Sequence, residues 1–171
     1  MEDQNMSGQT IPGSLQQPPY VVADHRHNGV DAPQISFQDI KQKKIYVHHT
    51  IQGTAAATAG NYGTFYIVPM PCYVSGFKEV HQTAGSDGSA VTVTLEKLTG
   101  TTAPDSGKEL LTTALSLKAT ANTVQTGTIV STLTNGIPDK RLAAGDRLCM
   151  KDSGTLTAVN NVTVVVELTI I

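Results

Sequence analysis

The sequence has no tryptophan, and aromatic residues are only 5% of its 171 residues. That argues against a platform on which sugars or bases stack. Cysteine occurs twice, at Cys72 and Cys149, far apart and outside any Cys-x-x-Cys or Cys/His cluster. A disulfide framework is therefore not expected, and two buried free thiols are. Charge is sparse: charged residues make up 15% and the formal net charge is -2. This excludes a globally basic nucleic-acid binder and a charge-rich disordered polymer. The longest apolar runs, such as residues 162–166, are far too short for a membrane-spanning helix. The opening Met1-Glu2-Asp3-Gln4-Asn5 is acidic and polar, so no secretory signal is expected there.

What the chain does have is 39% hydrophobic residues set among Thr, Ser and Gly. Such a mixture favours pleated sheet and turns over helix. The length suits one domain and a short appendage. Residues 1–19 are polar and rich in Gln, Gly and Pro, and Pro18-Pro19 favours extended chain. Asn28-Gly29 marks a turn, and Asp31-Ala32-Pro33 restarts an extended segment. The expectation is an extended N-terminal arm over residues 1–50 and a β-domain over 51–171.

From residue 45 onward the text reads as short strands divided by turns. Candidates are 45–50, 64–68, 73–80, 90–98, 127–134, 147–151, 155–159 and 162–170. Val91, Val93 and Leu95 alternate with Thr92, Thr94 and Glu96, which predicts one buried face and one wet face. Val162, Val164, Val166, Leu168 and Ile170 alternate in the same way. Turn signals stand at Gly85-Ser86-Asp87-Gly88, Asn135-Gly136, Ala143-Ala144-Gly145-Asp146 and Asp152-Ser153-Gly154. Residues 108–118 fit a short helix or an irregular strand, with strand favoured. The expected fold is all-β: an antiparallel β-sandwich, jelly-roll-like because its connections are long and uneven, with the extended arm in front. No repeat of fixed period appears.

A search for catalytic motifs finds no Gly-x-Ser-x-Gly and no His-Glu-x-x-His. Ser106-Gly107-Lys108-Glu109 resembles only the tail of a phosphate loop. Glu96 and Glu167 read as solvated-face residues rather than acid–base pairs. Lys41-Gln42-Lys43-Lys44 reads as a solvated linker, the sharper alternative being a patch that grips an acidic partner. Asn161-Val162-Thr163 matches a glycosylation sequon by chance. His25-x-His27 stands apart. In extended chain, residues two apart point to the same side, so one chain offers two imidazoles to one point. Two ligands are too few, but three chains on a threefold axis would offer six, a set that Fe(II) or Ni(II) accepts. Asp24 or Asp31 could hold the second ring nitrogens. The plainer alternative is a polar turn with local hydrogen bonds. His48-His49 is a weaker pair because neighbours in a strand face opposite ways, and His81 reads as structural. A metal-dependent cupin-type enzyme is disfavoured, since no histidine follows His81.

Residues His25-Arg26-His27-Asn28-Gly29-Val30-Asp31-Ala32-Pro33-Gln34-Ile35 resemble the His-x-His-Asn-Gly-x-Asp-x-Pro-x-Ile segment near the start of many tailed-bacteriophage structural proteins. The stretch from Ala59-Gly60-Asn61-Tyr62-Gly63 through Lys78-Glu79-Val80-His81 to Gly145-Asp146-Arg147-Leu148 resembles small jelly-roll proteins on phage virions. The resemblance implies a non-enzymatic virion component, made in the bacterial host cytoplasm. It would be a trimeric capsid decoration (cement) or head-fibre protein. Its expected partners are its own copies and the major capsid protein or another virion protein, gripped through the arm, with no nucleic acid and no membrane. A tail or receptor-binding fibre that recognises a host-surface glycan is the alternative. The resemblance further implies an iron or zinc ion, with nickel also suited to the ligands, held by His25 and His27 on the trimer axis.

Overall fold

Strands form where β-branched and aliphatic residues alternate with polar ones, and they stop at Gly, Pro, Asn and Asp. The structure, a computed structural model, describes residues 43–54 and 63–171. Its strands are β1 (Lys44–Thr54), β2 (Gly63–Ile67), β3 (Cys72–Val80), β4 (Thr92–Leu98), β5 (Lys108–Glu109) and β6 (Leu115–Ser116). They continue as β7 (Gln125–Gly127), β8 (Leu133–Thr134), β9 (Ile137–Pro138), β10 (Arg141–Leu142), β11 (Arg147–Ser153) and β12 (Asn160–Ile170). No described residue is helical. The strand expected at 155–159 is instead a turn: Val159 N–H donates to Leu156 O and Ala158 has φ 69°. The expected 127–134 strand is split between β7 and β8, and 108–118 forms only the short β5 and β6.

All pairings are antiparallel, in two sheets and one separate hairpin. One sheet runs β1-β12-β3, with β7 and β10 sharing the far edge of β3. The other runs β2-β11-β4, with β5 and β6 sharing the far edge of β4. The chain crosses from sheet to sheet between β1 and β2, β2 and β3, and β3 and β4. It crosses back from β6 to β7 and again on either side of β11. First and last strands thus become neighbours, which is the wrap of a jelly roll.

The core lies between the sheets. Val162, Val164, Val166 and Leu168 of β12 are buried, as their alternation predicts, and pack with Val74, Phe77, Val93, Leu95, Leu148 and Met150. Each fully buried aliphatic side chain contributes about 1.5–3 kcal/mol. In β3 the inward set passes from Val74 to Phe77, three residues on, because the register shifts opposite Glu167 and Leu168. Gly76 sits at this bulge, where an added Cβ would lie 3.3 Å from the Glu167 Cβ.

The second face of β4 is not wet. Thr94 and Glu96 are buried, 5% and 1% exposed. Residues 99–107 fold back over the outside of β4 and β11. Asp105 N–H donates to Glu96 Oε2 at 2.9 Å, and Arg147 donates to Gly100 O and Thr102 O at 3.0 and 2.8 Å. Leu98 and Cys149 are buried beneath the same loop. Strand alternation reports which residues share a face; it carries no sign of a loop that covers that face.

Candidate functional site

His25 and His27 lie outside the described residues, as do Asp24 and Asp31. Among the described residues no three His, Cys, Asp or Glu side chains group as metal ligands do. His48 and His49 face opposite sides of β1, as their adjacency requires. His49 turns inward and stacks on Phe65, with centroids 5.1 Å apart and planes at 15°, and burial lowers its pKa. Cys72 and Cys149 are free and buried. Burial raises both thiol pKa values, that of Cys149 to about 11 with help from the nearby Glu96 charge. Thiols held this way are poor nucleophiles.

His81 is fully buried and structural, as expected, and it has a partner that sequence reasoning missed. Its Nδ1 lies 2.8 Å from Glu79 Oε1, and its Nε2 lies 3.1 Å from Ala119 O. A neutral imidazole carries one N–H, so the Nδ1–Oε1 contact needs a further proton on ring or carboxyl. Gln125 completes the cluster, donating to Glu79 Oε2 at 2.6 Å and to Ser116 O at 2.8 Å. Glu79 and His81 stand two apart at the end of a strand, the spacing that makes neighbours on one face. The cluster ties β3 to β7 and to the loop after β6.

The two glutamates read as solvated behave differently. Glu96 is a buried acceptor, correcting that expectation, and Lys151 Nζ lies 3.6 Å from it, 2.7 Å from Asp105 and 3.6 Å from Glu109. Glu167 remains half-exposed. It accepts from Lys44 Nζ at 2.8 Å and Ser75 Oγ at 2.9 Å, and the Lys44 bond leads the effects that hold its carboxyl pKa low. The basic run is therefore no solvated linker at its end: Lys44 opens β1 and is ion-paired. Ser106, Gly107 and Lys108 line a polar hollow of about 350 Å³ together with Lys97, Thr99, Thr102, Thr134 and Asp139.

The surface is uneven in one respect. Of the large apolar side chains left exposed, Ile67 (66%), Leu133 (63%), Ile137 (50%), Met70 (40%) and Ile171 (39%) belong to segments that share one end of the sandwich. The backbone shows this. Val68 N–H donates to Asp146 O at 2.8 Å, Ile171 N–H to Pro71 O at 3.3 Å and Ile170 N–H to Lys43 O at 2.8 Å. Val74 N–H donates to Lys140 O at 3.0 Å, placing the chain after the β8–β9 hairpin beside the start of β3. Leu133 and Ile137 flank Asn135-Gly136, whose φ values of 52° and 76° make a type I′ turn. Asp139 holds this hairpin by accepting from the hydroxyls of Thr132 and Thr134, the latter at 2.6 Å, and from Lys108 at 3.3 Å. These bonds, led by the Thr132 hydroxyl, lower its pKa to about 2. The sequence did offer a signal here: two large aliphatics set about a tight Asn-Gly turn.

No family model matches the chain, and no curated protein matches it. Solved structures that superpose on the chain include two from phage capsids. A chain of the "Capsid of Ralstonia phage GP4" superposes with TM-score 0.55 at 11% identity, covering 77% of this chain and 87% of that one. A chain of the "Cyanophage Pam1 capsid asymmetric unit" gives TM-score 0.48 at 13% identity, covering 75% of this chain and 84% of that one. What the first of these establishes is a shared antiparallel sandwich.

Proposed function

We propose that this chain is a non-enzymatic structural protein of a bacteriophage virion, a capsid decoration or head-fibre protein that acts as a homotrimer. The observation that carries this reading is the jelly-roll wrap, which aligns over 77% of the chain with a chain of a phage capsid. The His-Asn-Gly segment at residues 27–29 points the same way from the sequence side. Residues 1–50 serve as the attachment arm, their last residues entering the sandwich as β1, and 51–171 supply the rest of the domain. An arm that orders on docking buries surface along its partner. Three arms on one trimer multiply a weak single contact through effective concentration. Deleting residues 1–22 is expected to abolish attachment to particles in a co-sedimentation assay while the trimer stays folded. Attachment retained at full strength refutes the arm's role.

His25 and His27 of three chains would hold one iron, zinc or nickel ion on the threefold axis. Elemental analysis of the purified trimer is expected to give about one ion per three chains. An unchanged metal content in a His25→Ala/His27→Ala variant would reduce the segment to a turn. One observation favours a second reading, a tail or receptor-binding fibre: the hydroxyl- and lysine-lined hollow between Lys97 and Thr134 is polar enough to take a glycan. Glycan-array binding that is lost in Lys97→Met would favour that reading over decoration.

A further inference from the structure

We propose that the outer face of the sheet containing β1 holds a sugar acid, one pyranose ring bearing a carboxylate, in a hollow over Gly76. This hollow has a volume of about 240 Å³, is lined from β1, β3, β7 and β12, and shares no residue with the hollow beside Lys97. Its shape follows from the bulge in β3. Gly76 stands opposite Glu167 and faces outward, since a Cβ there would lie 3.3 Å from the Glu167 Cβ. With no side chain at that point, and the short Val165 beside it, the floor is low and apolar. Tyr46, 57% exposed, rises from β1 on one side. Lys78 and Thr126, register partners on β3 and β7, rise on the other. A chain poor in aromatics offers no extended stacking platform, but one exposed tyrosine serves one ring. The volume falls below the roughly 300–1,000 Å³ of pockets for drug-sized ligands, which suits a single ring.

The lining groups choose the ligand by charge and by hydrogen-bonding capacity. Glu167 is the only carboxylate that the described strands of this sheet turn outward; Glu79, their other acid, is buried. Glu167 is already neutralised by Lys44 and accepts from Ser75, and the Tyr46 hydroxyl adds a third bond. A carboxylate has about four acceptor sites, so one remains for a ligand hydroxyl. Lys78 differs. It is exposed, and among the described residues it has no ion pair and no hydrogen-bond partner. The Thr126 hydroxyl beside it is free in the same sense. The fitting ligand therefore brings an anion for Lys78, hydroxyls for Glu167 and Thr126, and a C–H face for Val165 and Gly76. A neutral sugar leaves Lys78 without a counter-charge. An acidic side chain of another protein supplies the anion and nothing for the other groups. A sugar acid supplies all three. The inference goes beyond the proposed structural role and does not depend on it. On a particle, many copies would multiply a weak single-site affinity.

The test is a ligand-observed NMR titration of the full chain with methyl glucuronide and methyl galacturonide, against the methyl glycosides of glucose and galactose. At least one uronide is expected to bind in the roughly millimolar range, about tenfold more tightly than its neutral counterpart. Lys78→Met is expected to abolish that preference, and Tyr46→Ala to weaken binding about fivefold. Both side chains are exposed, and unchanged melting curves verify the fold. Lys97→Met, in the other hollow, is expected to bind as wild type does, and raised salt to weaken the uronide. No binding of either uronide, equal binding of acid and neutral sugar, or an undiminished preference in Lys78→Met overturns the proposal. So does loss of binding in Lys97→Met alone, which puts the sugar in the other hollow. Acetate bound as tightly as the uronide overturns the sugar and leaves a bare anion contact. Attachment to particles is read separately by co-sedimentation, so failure here leaves the virion role standing, and failure there leaves the sugar site standing.

Discussion

Glu79 points into the core, where an isolated carboxylate is costly unless bonded on all sides. His81 and Gln125 supply those bonds, so the three side chains act as one unit. Removing one member leaves buried polar atoms of the others without a partner, and that penalty exceeds the value of the contact itself. His81→Ala is expected to lower unfolding free energy by about 3 kcal/mol in urea titration. A loss below about 1 kcal/mol would mean that water enters and replaces the ring. The thiols give a second residue-scale expectation. Cys149 has a native pKa near 11, chiefly because burial disfavours the thiolate. Its folded pKa lies above the unfolded one, so its contribution to stability is complete below the unfolded value and is lost as pH rises toward 11. In Ellman assays at pH 8 neither Cys72 nor Cys149 is expected to react until denaturant is added. Rapid labelling of the native protein would contradict the burial of both. The two free buried thiols were legible in the sequence. Glu79-x-His81 was equally legible in principle, for it has the same two-residue spacing that singled out His25-x-His27. The spacing alone does not mark it as buried, because charged residues in strands usually face water.

At the scale of elements, the alternating strands were the readable part. β12 follows its alternation from Val162 to Leu168, because a central strand is held by β1 on one side and β3 on the other. β4 does not, since residues 99–107 cover its outer face, and no local pattern encodes a contact made by a loop folding back. Gly154 shows how tightly such chains pass. It has φ +88°, and an added Cβ would collide with the carbonyl oxygen of Ala90. Gly154→Ala is therefore expected to cost more than the 1–2 kcal/mol of a strained left-handed residue, read as a drop in melting temperature of several degrees. The β8–β9 hairpin depends on charge instead. The folded pKa of Asp139 is about 2, below its unfolded value, so its share of stability is present above about pH 4 and lost as pH falls toward 2. Hydrogen exchange of residues 132–139 is expected to quicken over that window, and to be quick at neutral pH in Asp139→Ala. Equal protection in both proteins would show that the Asn135-Gly136 turn suffices alone.

For the whole molecule, the pairing of β1 with β12 is decisive. Lys44 lies opposite Thr169 and Ile51 opposite Val162, so the first and last described strands close the same sheet across more than a hundred residues of chain. Contacts so distant in sequence are formed late and slowly, since loop closure precedes any reward. They also set where the chain can be cut. A protein beginning at Gln42 keeps every described partner of β12, and it is expected to give the same melting temperature as the full chain. A protein beginning at residue 55 loses Val47 from the core and bares the edge of β12, and it is expected to be largely unfolded or aggregated at room temperature. Circular dichroism and light scattering on the two truncations decide the matter. If the shorter protein melts like the longer, β1 belongs with the arm and not with the sandwich. If the longer one fails to fold, residues before Gln42 are part of the domain, and their removal could not then separate attachment from stability. The expected result separates them: everything needed to fold lies from Gln42 onward.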